Sequence, residues 1–253
     1  MNGELNALIW FCLLPALALG YFLWQVWHSD YDLWESSLYL PTYVMGRLVW
    51  RVYFKNEAPQ ALRQGALLVA NHRSSVDPFF VQLAARRRVH WMVAKEYCQH
   101  FLFGRLLRLL EVIPTNRSGL DTASTKAAMR LTRAGKLVGM FPEGRLNQTN
   151  RLLLPIRSGA ALVALRSEVP IVPLLIEGSP LGKSVWSPLF IPARVGITFG
   201  QPIWPDPTRD DPSGELHVSD ALIVQWARQI VELAGHAGYS IELASKRKRR
   251  KST

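Results

Sequence analysis

Ala66-Leu67-Leu68-Val69-Ala70-Asn71-His72-Arg73-Ser74-Ser75-Val76-Asp77-Pro78 is the stretch that decides the fold. Five apolar residues in succession are too few for a helix, and a polar loop ends them. Such a run reads as a strand buried on both faces, the kind found in parallel sheets covered by helices. Working outward, the same punctuation recurs. Strands are predicted at Ala66–Ala70, His90–Ala94, Glu111–Ile113, Leu137–Phe141, Ile171–Ile176 and Val195–Phe199. Helices are predicted between and after them at Pro78–Arg88, Glu96–Leu110, Thr122–Ala134, Ser158–Ser167 and Ser219–Leu233. In the last, Leu222, Ile223, Trp226, Ile230 and Leu233 recur at helical spacing, the mark of a core-facing stripe. Strands alternating with helices give an α/β fold with a mixed, largely parallel sheet covered by helices. Pro202–Pro212 reads as a loop leading to the final helix, and the chain contains no internal repeat.

With 253 residues the chain is long enough for one large α/β domain, and 49% apolar residues support a substantial core. Nine tryptophans and a positive mean hydropathy are high for a purely soluble protein. The two cysteines, Cys12 and Cys98, have neither disulfide-framework nor zinc spacing. The net charge is +11, but Lys246–Lys251 alone contributes six positive charges, leaving 11 − 6 = +5 for the rest. That tail suits anionic lipid, nucleic acid or a nuclear address equally, or is simply a solvated end; it does not decide function.

The N-terminus is different in kind. Leu5–Trp27 holds no charged residue over 23 positions. As a helix it is about 34 Å long, against about 30 Å for a hydrocarbon core. No basic region precedes it and no clear A-x-A site comes after it, which argues against a signal peptide. Pro15 and Gly20 permit a kink. A second apolar segment, Leu38 to Phe54, mixes Tyr39, Tyr43, Trp50, Tyr53 and Phe54 with Arg47, Arg51 and Lys55. Rings at the interface and snorkelling cations suit the headgroup region. Residues 1–56 are therefore assigned to a membrane-associated two-helix hairpin, 57–240 to the α/β domain, and 241–253 to a basic tail. The cations of the second segment favour the cytoplasmic face for the α/β domain.

Two strand ends carry the chemistry. His72 and Asp77 pair the side chain that titrates nearest neutrality with a carboxylate that can fix its tautomer. Phe141-Pro142-Glu143-Gly144-Arg145 comes at the end of a second apolar run. Alone, His72 reads equally well as a histidine bonded to backbone, and Asp77 as a helix N-cap ahead of Pro78.

In company, these residues resemble a family. Asn71-His72-x4-Asp77 and Phe141-Pro142-Glu143-Gly144 look like the first and third blocks of the glycerolipid acyltransferases. Ile113-Pro114-Thr115-Asn116-Arg117 and Ile171-Val172-Pro173-Leu174 resemble the second and fourth, in the right order. The resemblance covers Leu67 to Gly178 and implies transfer of a fatty acyl group from acyl-CoA or acyl-carrier protein to 1-acylglycerol-3-phosphate, giving phosphatidic acid. His72 is then the general base and Asp77 its orienting partner, and no protein nucleophile is needed. Arg117, Lys95 and Arg145 are expected at the substrate phosphate, with Glu143 and Gly144 in the acceptor-site turn. No metal or redox cofactor is implied. The expected partners are a lysophospholipid acceptor, the thioester donor and an anionic membrane, with the catalytic domain on the cytoplasmic face of a bacterial inner membrane. Arg86-Arg87-Arg88 offers a basic surface for an acidic carrier protein, or is a solvated helix end.

The third block departs from the commoner Gly-Thr-Arg-Ser: here it runs Gly144-Arg145-Leu146-Asn147. That keeps another lysolipid, such as lysophosphatidylethanolamine or a lyso-aminolipid, open as acceptor. A non-catalytic lipid- or nucleic-acid-binding module is the alternative of a different class. Gly178-Ser179-Pro180-Leu181-Gly182-Lys183-Ser184 mimics a phosphate loop, but with three residues between its glycines instead of four and no helix start behind it. There is no G-x-S-x-G elbow for a serine hydrolase.

Overall fold

In the computed structural model, residues 2–27, 31, 33–99, 103–116, 122–206 and 218–244 are described. Arg117 and residues 245–253 of the basic tail lie outside them.

Two long helices come first, α1 (Asn2–Trp27) and α2 (Leu33–Leu48). The chain then enters a seven-stranded sheet in the order β1-β7-β6-β2-β5-β3-β4. Its strands are β1 (Tyr53–Phe54), β2 (Ala66–Ala70), β3 (Val89–Ala94), β4 (Ile113–Thr115), β5 (Leu137–Met140), β6 (Ile171–Glu177) and β7 (Gly196–Phe199). Every neighbouring pair is parallel except β6 with β7. The remaining helices are α3 (Asp77–Ala85), α4 (Lys95–Cys98), α5 (Phe103–Leu109), α6 (Thr122–Arg133), α7 (Gly159–Ser167) and α8 (Val218–Leu233).

The all-apolar strand β2 sits at the centre with both faces covered. Ala66, Leu68 and Ala70 pack with Phe80 and Val81 of α3 and Tyr39 of α2. Leu67 and Val69 pack with Ala128 of α6, Ala160 of α7 and Trp226 of α8. The period of two along an extended chain sends alternate side chains to opposite layers, which is why the run is apolar throughout. Trp226 is fully buried and donates its indole N–H to the Val69 carbonyl at 2.9 Å, so its polar end is satisfied. Burying such a side chain is worth about 1.5–3 kcal/mol.

The structure moves several expected boundaries. Tyr53 and Phe54, assigned to the hairpin, pair with Gly196 and Ile197 and belong to the sheet. Arg51 takes a positive φ of 40° in the turn after α2. At the other end, Ala244 donates its N–H to the Ile156 carbonyl at 2.8 Å, so the packed domain runs past residue 240. The single helix expected over Glu96–Leu110 is two pieces, α4 and α5. The strand expected at Glu111–Ile113 lies at Ile113–Thr115, because Glu111, at φ 48°, belongs to the turn before it. Pro114 fits there because β4 is the sheet edge, where a missing N–H leaves no neighbour unpaired.

Arg86-Arg87-Arg88 is not a free docking surface. Arg87 donates to the carbonyls of Leu62 (2.7 Å) and Gly135 (3.1 Å). Arg88 is paired with Glu35 and with Glu111, so two of the three cations tie elements together. Among the described residues no helix is long and apolar enough to cross a membrane.

Candidate active site

Parallel strands present their C-terminal ends along one edge, and the loops leaving that edge are where open α/β sheets bind ligands. His72 leaves β2, Phe141 to Arg145 leave β5, Ser179 leaves β6 and Lys95 leaves β3. Because β6, β2 and β5 are adjacent, three of these loops meet over the centre of the sheet.

His72 and Asp77 are in contact: Nδ1 lies 3.1 Å from Asp77 Oδ2. A carboxylate only accepts, so Nδ1 carries the proton and Nε2 offers its lone pair. The His72 side chain is 16% exposed while that of Asp77 is wholly buried. Asp77 does not cap α3, whose N-cap residue is Val76 with no side-chain bond. Its Oδ2 instead accepts the backbone N–H of Arg73 and of Ser74, both at 2.7 Å. Oδ1 accepts the Ser179 hydroxyl at 2.7 Å. The N-cap alternative is thereby set aside: the carboxylate holds the loop that carries the imidazole.

The His72 peptide is held at both ends. Glu143 is buried, and its Oε1 accepts the His72 N–H at 2.8 Å while Oε2 accepts the Leu154 N–H at 2.9 Å. Burial raises its pKa above the ordinary carboxylate range, with the two backbone bonds acting the other way. The His72 carbonyl accepts the Asn147 N–H at 2.7 Å. Asn147, one of the three positions at which the third block departs from the common form, is fully buried. Its amide nitrogen donates to the Arg151 carbonyl at 2.9 Å, and its oxygen accepts the Thr149 hydroxyl at 2.7 Å. The departure therefore builds the loop around His72. Asn71 closes the sheet below, exchanging two hydrogen bonds with the backbone of Ile176 at 2.9 and 2.8 Å.

A ring stack fixes the imidazole plane. Phe141 lies parallel to His72 with centroids 3.8 Å apart, and Trp91 backs Phe141 at 4.8 Å. Gly139 makes room for this: a Cβ there would sit 2.7 Å from the Trp91 ring. Parallel stacking restrains the ring and places a π face against the imidazole.

Of the expected substrate residues, Gly144 lies in the exposed turn beside Glu143 with φ 66°, and Arg145 comes next, also exposed. The Glu143 carboxylate is turned away from solvent onto backbone amides, so it supports the site as a clasp. Lys95 is exposed at the end of β3, and Arg117 lies outside the described residues. The structure adds three residues that sequence reasoning passed over. Ser179 sat in a segment dismissed as a false phosphate loop, and Asn147 read as a mere departure. The guanidinium of exposed Arg157 lies 3.4 Å from where a Cβ on Gly144 would be, placing a second cation at that turn.

This edge holds an imidazole against a buried carboxylate with arginines nearby, and comparisons with known proteins identify the family. The family model described as Acyltransferase matches residues 50–177, from the end of the hairpin to the end of β6. The chain belongs to the acyltransferase family and is an acyltransferase enzyme. It is 26% identical over 154 residues to the 1-acyl-sn-glycerol-3-phosphate acyltransferase of Bacillus subtilis strain 168, covering 60% of this chain and 73% of that protein. The similarly named protein of Limnanthes douglasii is 31% identical over 167 residues, covering 64% of this chain and 59% of that one. The chain thus spans less than two thirds of the plant relative. The crystal structure of the 1-acyl-sn-glycerophosphate acyltransferase PlsC from Thermotoga maritima shares the fold, with a TM-score of 0.59 over 95% of this chain and 100% of that one. At 17% identity that likeness speaks for the fold alone.

Proposed function

We propose that this acyltransferase acylates the free hydroxyl of 1-acylglycerol-3-phosphate, giving phosphatidic acid, with acyl-CoA or acyl-carrier protein as donor. The observation that carries the reading is the His72 Nδ1–Asp77 Oδ2 contact of 3.1 Å, which leaves Nε2 free to take a proton. The acceptor hydroxyl, bound at Nε2, attacks the thioester carbonyl as its proton passes to the imidazole. Asp77 stabilises the imidazolium. The tetrahedral intermediate then expels the thiolate, which recovers the proton from His72, leaving an ester and a free thiol. The names of the Bacillus and Limnanthes relatives support the acceptor assignment.

Arg145 and Arg157, on either side of Gly144, supply positive charge where the acceptor phosphate would lie, and Arg117 and Lys95 are the further candidates from the sequence. With Asn147 engaged inside the loop, the altered third block bears on the acceptor only through Arg145. A lysophosphatidylethanolamine or lyso-aminolipid acceptor is the second reading, favoured by the early position of that arginine.

The enzyme would work as a monotopic protein on the cytoplasmic membrane face. Helix α1 exposes Ile9, Phe11, Leu14, Leu17 and Leu23. A helix apolar on all sides requires a buried or lipid surrounding. Arg47 comes next, at the position of anionic headgroups, while Arg51 donates to the Ala193 carbonyl and Lys55 is paired with Glu177.

Purified protein given radiolabelled acyl-CoA and a panel of lysolipids tests the assignment. The expected result is preferential acylation of 1-acylglycerol-3-phosphate. Preference for a zwitterionic lysolipid would select the second reading, and no transfer to any acceptor would overturn both.

A further inference from the structure

The loop between β6 and β7 exposes apolar side chains at a density unusual for a connection. Leu181, Val185, Trp186 and Phe190 are all exposed, Phe190 by 78%, with Lys183 among them. Single exposed apolar residues are ordinary, but a cluster on one ordered loop marks a contact surface. The loop is ordered by its own bonds. Ser184 and Ser187 each donate a backbone N–H to the other's hydroxyl at 3.1 Å, and Gly182 packs so tightly that a Cβ would meet Pro188 at 2.7 Å.

Two further bonds place it. The Ser75 hydroxyl, inside the loop that carries His72 and Asp77, donates to the Val185 carbonyl at 2.7 Å. The Trp50 indole, just past α2, donates to the Pro188 carbonyl at 3.2 Å. Leu189 packs in the same cluster as Tyr43, Met45 and Val49 at the end of the hairpin. The loop therefore lies between the loop that carries His72 and the end of α2, where Leu48 is itself 75% exposed.

We propose that residues 181–190 form a second membrane-contact element, with Leu181, Val185, Trp186 and Phe190 entering the interfacial layer of a phospholipid bilayer. This rests on the proposed seating of the hairpin in the membrane. An amphipathic aromatic and a lysine beside aliphatic side chains match the headgroup level. Through Ser75 and Val185 the seated loop is joined to the catalytic loop, so the active-site mouth faces the surface from which a lysolipid enters.

The test is a polarity-sensitive dye placed on Phe190→Cys in a full chain carrying Cys12→Ser and Cys98→Ser. A parallel sample carries the dye on Leu14→Cys in the hairpin. On phosphatidylethanolamine/phosphatidylglycerol vesicles the Phe190 dye is expected to shift to the blue. A shift at Leu14 without one at Phe190 overturns the loop's role while keeping the hairpin's. A shift at Phe190 alone keeps the loop and removes the hairpin reading; no shift at either removes both. A blue shift that grows with protein concentration in the absence of vesicles would identify a second copy as the occupant, and overturns the proposal. Leu181→Ser/Phe190→Ser is expected to weaken vesicle partition about tenfold with an unchanged unfolding midpoint. Unchanged partition would likewise overturn it.

Discussion

The carboxylate of Glu143 holds the backbone of His72: Oε1 accepts the His72 N–H at 2.8 Å while Oε2 accepts the N–H of Leu154. One buried side chain thus joins the ends of β2 and β5 to the segment that leads into α7. Replacing it with glutamine turns one acceptor into a donor aimed at an N–H. Glu143→Gln should cost about 1–3 kcal/mol of stability, the penalty of an unsatisfied buried group, and lower kcat about a hundredfold through displacement of His72. Denaturant unfolding and steady-state kinetics check the two together; a change in KM alone would point instead to direct contact with substrate.

Ser179 completes the shell of Asp77 by donating to Oδ1 at 2.7 Å. Ser179→Ala should lower kcat about tenfold, the worth of one hydrogen bond to a charged group, with little change in KM. Ser179→Thr, which keeps the hydroxyl, should restore the rate.

Gly139 lies beneath the ring stack, where a Cβ would meet Trp91 at 2.7 Å and Val89 at 2.8 Å. Gly139→Ala forces Trp91 toward Phe141, and through it His72. A destabilisation of about 1–3 kcal/mol is expected, together with a fall in kcat larger than that in thermal stability would explain. Activity measured well below the unfolding midpoint separates the two effects.

His90 is buried in β3, its Nδ1 lying 3.1 Å from the Glu111 carbonyl and its Nε2 without a partner. Burial lowers its pKa from the ordinary 6.5, with the Glu111 carbonyl and carboxylate acting the other way and the neighbouring Arg88 and Lys136 assisting. Below pH 6.5 the unfolded chain takes a proton that the native site refuses, so stability is lost as pH falls through 6.5 toward the native value. His90→Gln removes this titration. Its unfolding midpoint relative to wild type should therefore improve between pH 7 and pH 5, a range spanning the ordinary value; a constant difference would deny the effect.

The sheet was legible because its central strand is short, apolar on both faces and ended by a polar loop. The pairing of His72 with Asp77 was legible because it is local: both sit in one loop, 3.1 Å apart. What escaped was whatever depends on contact between loops. Nothing in the sequence pairs Ser179 with Asp77, 102 positions away. The stack of Trp91, Phe141 and His72 joins three strands and needs the parallel register to be seen. The resemblance put Glu143 in the acceptor-site turn, and only the fold shows its carboxylate bonded to the backbone of His72 and Leu154. Boundaries failed where a turn is set by a left-handed residue with no glycine to announce it, as at Arg51 and Glu111.

The central claim is that the Nε2 of His72 takes the proton from the acceptor hydroxyl. Its most direct test is the rate of acyl transfer from labelled acyl-CoA to 1-acylglycerol-3-phosphate by wild type and by His72→Ala, each shown to be folded. A positioned general base is worth about 10²–10⁴ in rate, so the variant should lose at least a hundredfold in kcat. Wild-type turnover in His72→Ala would contradict the account.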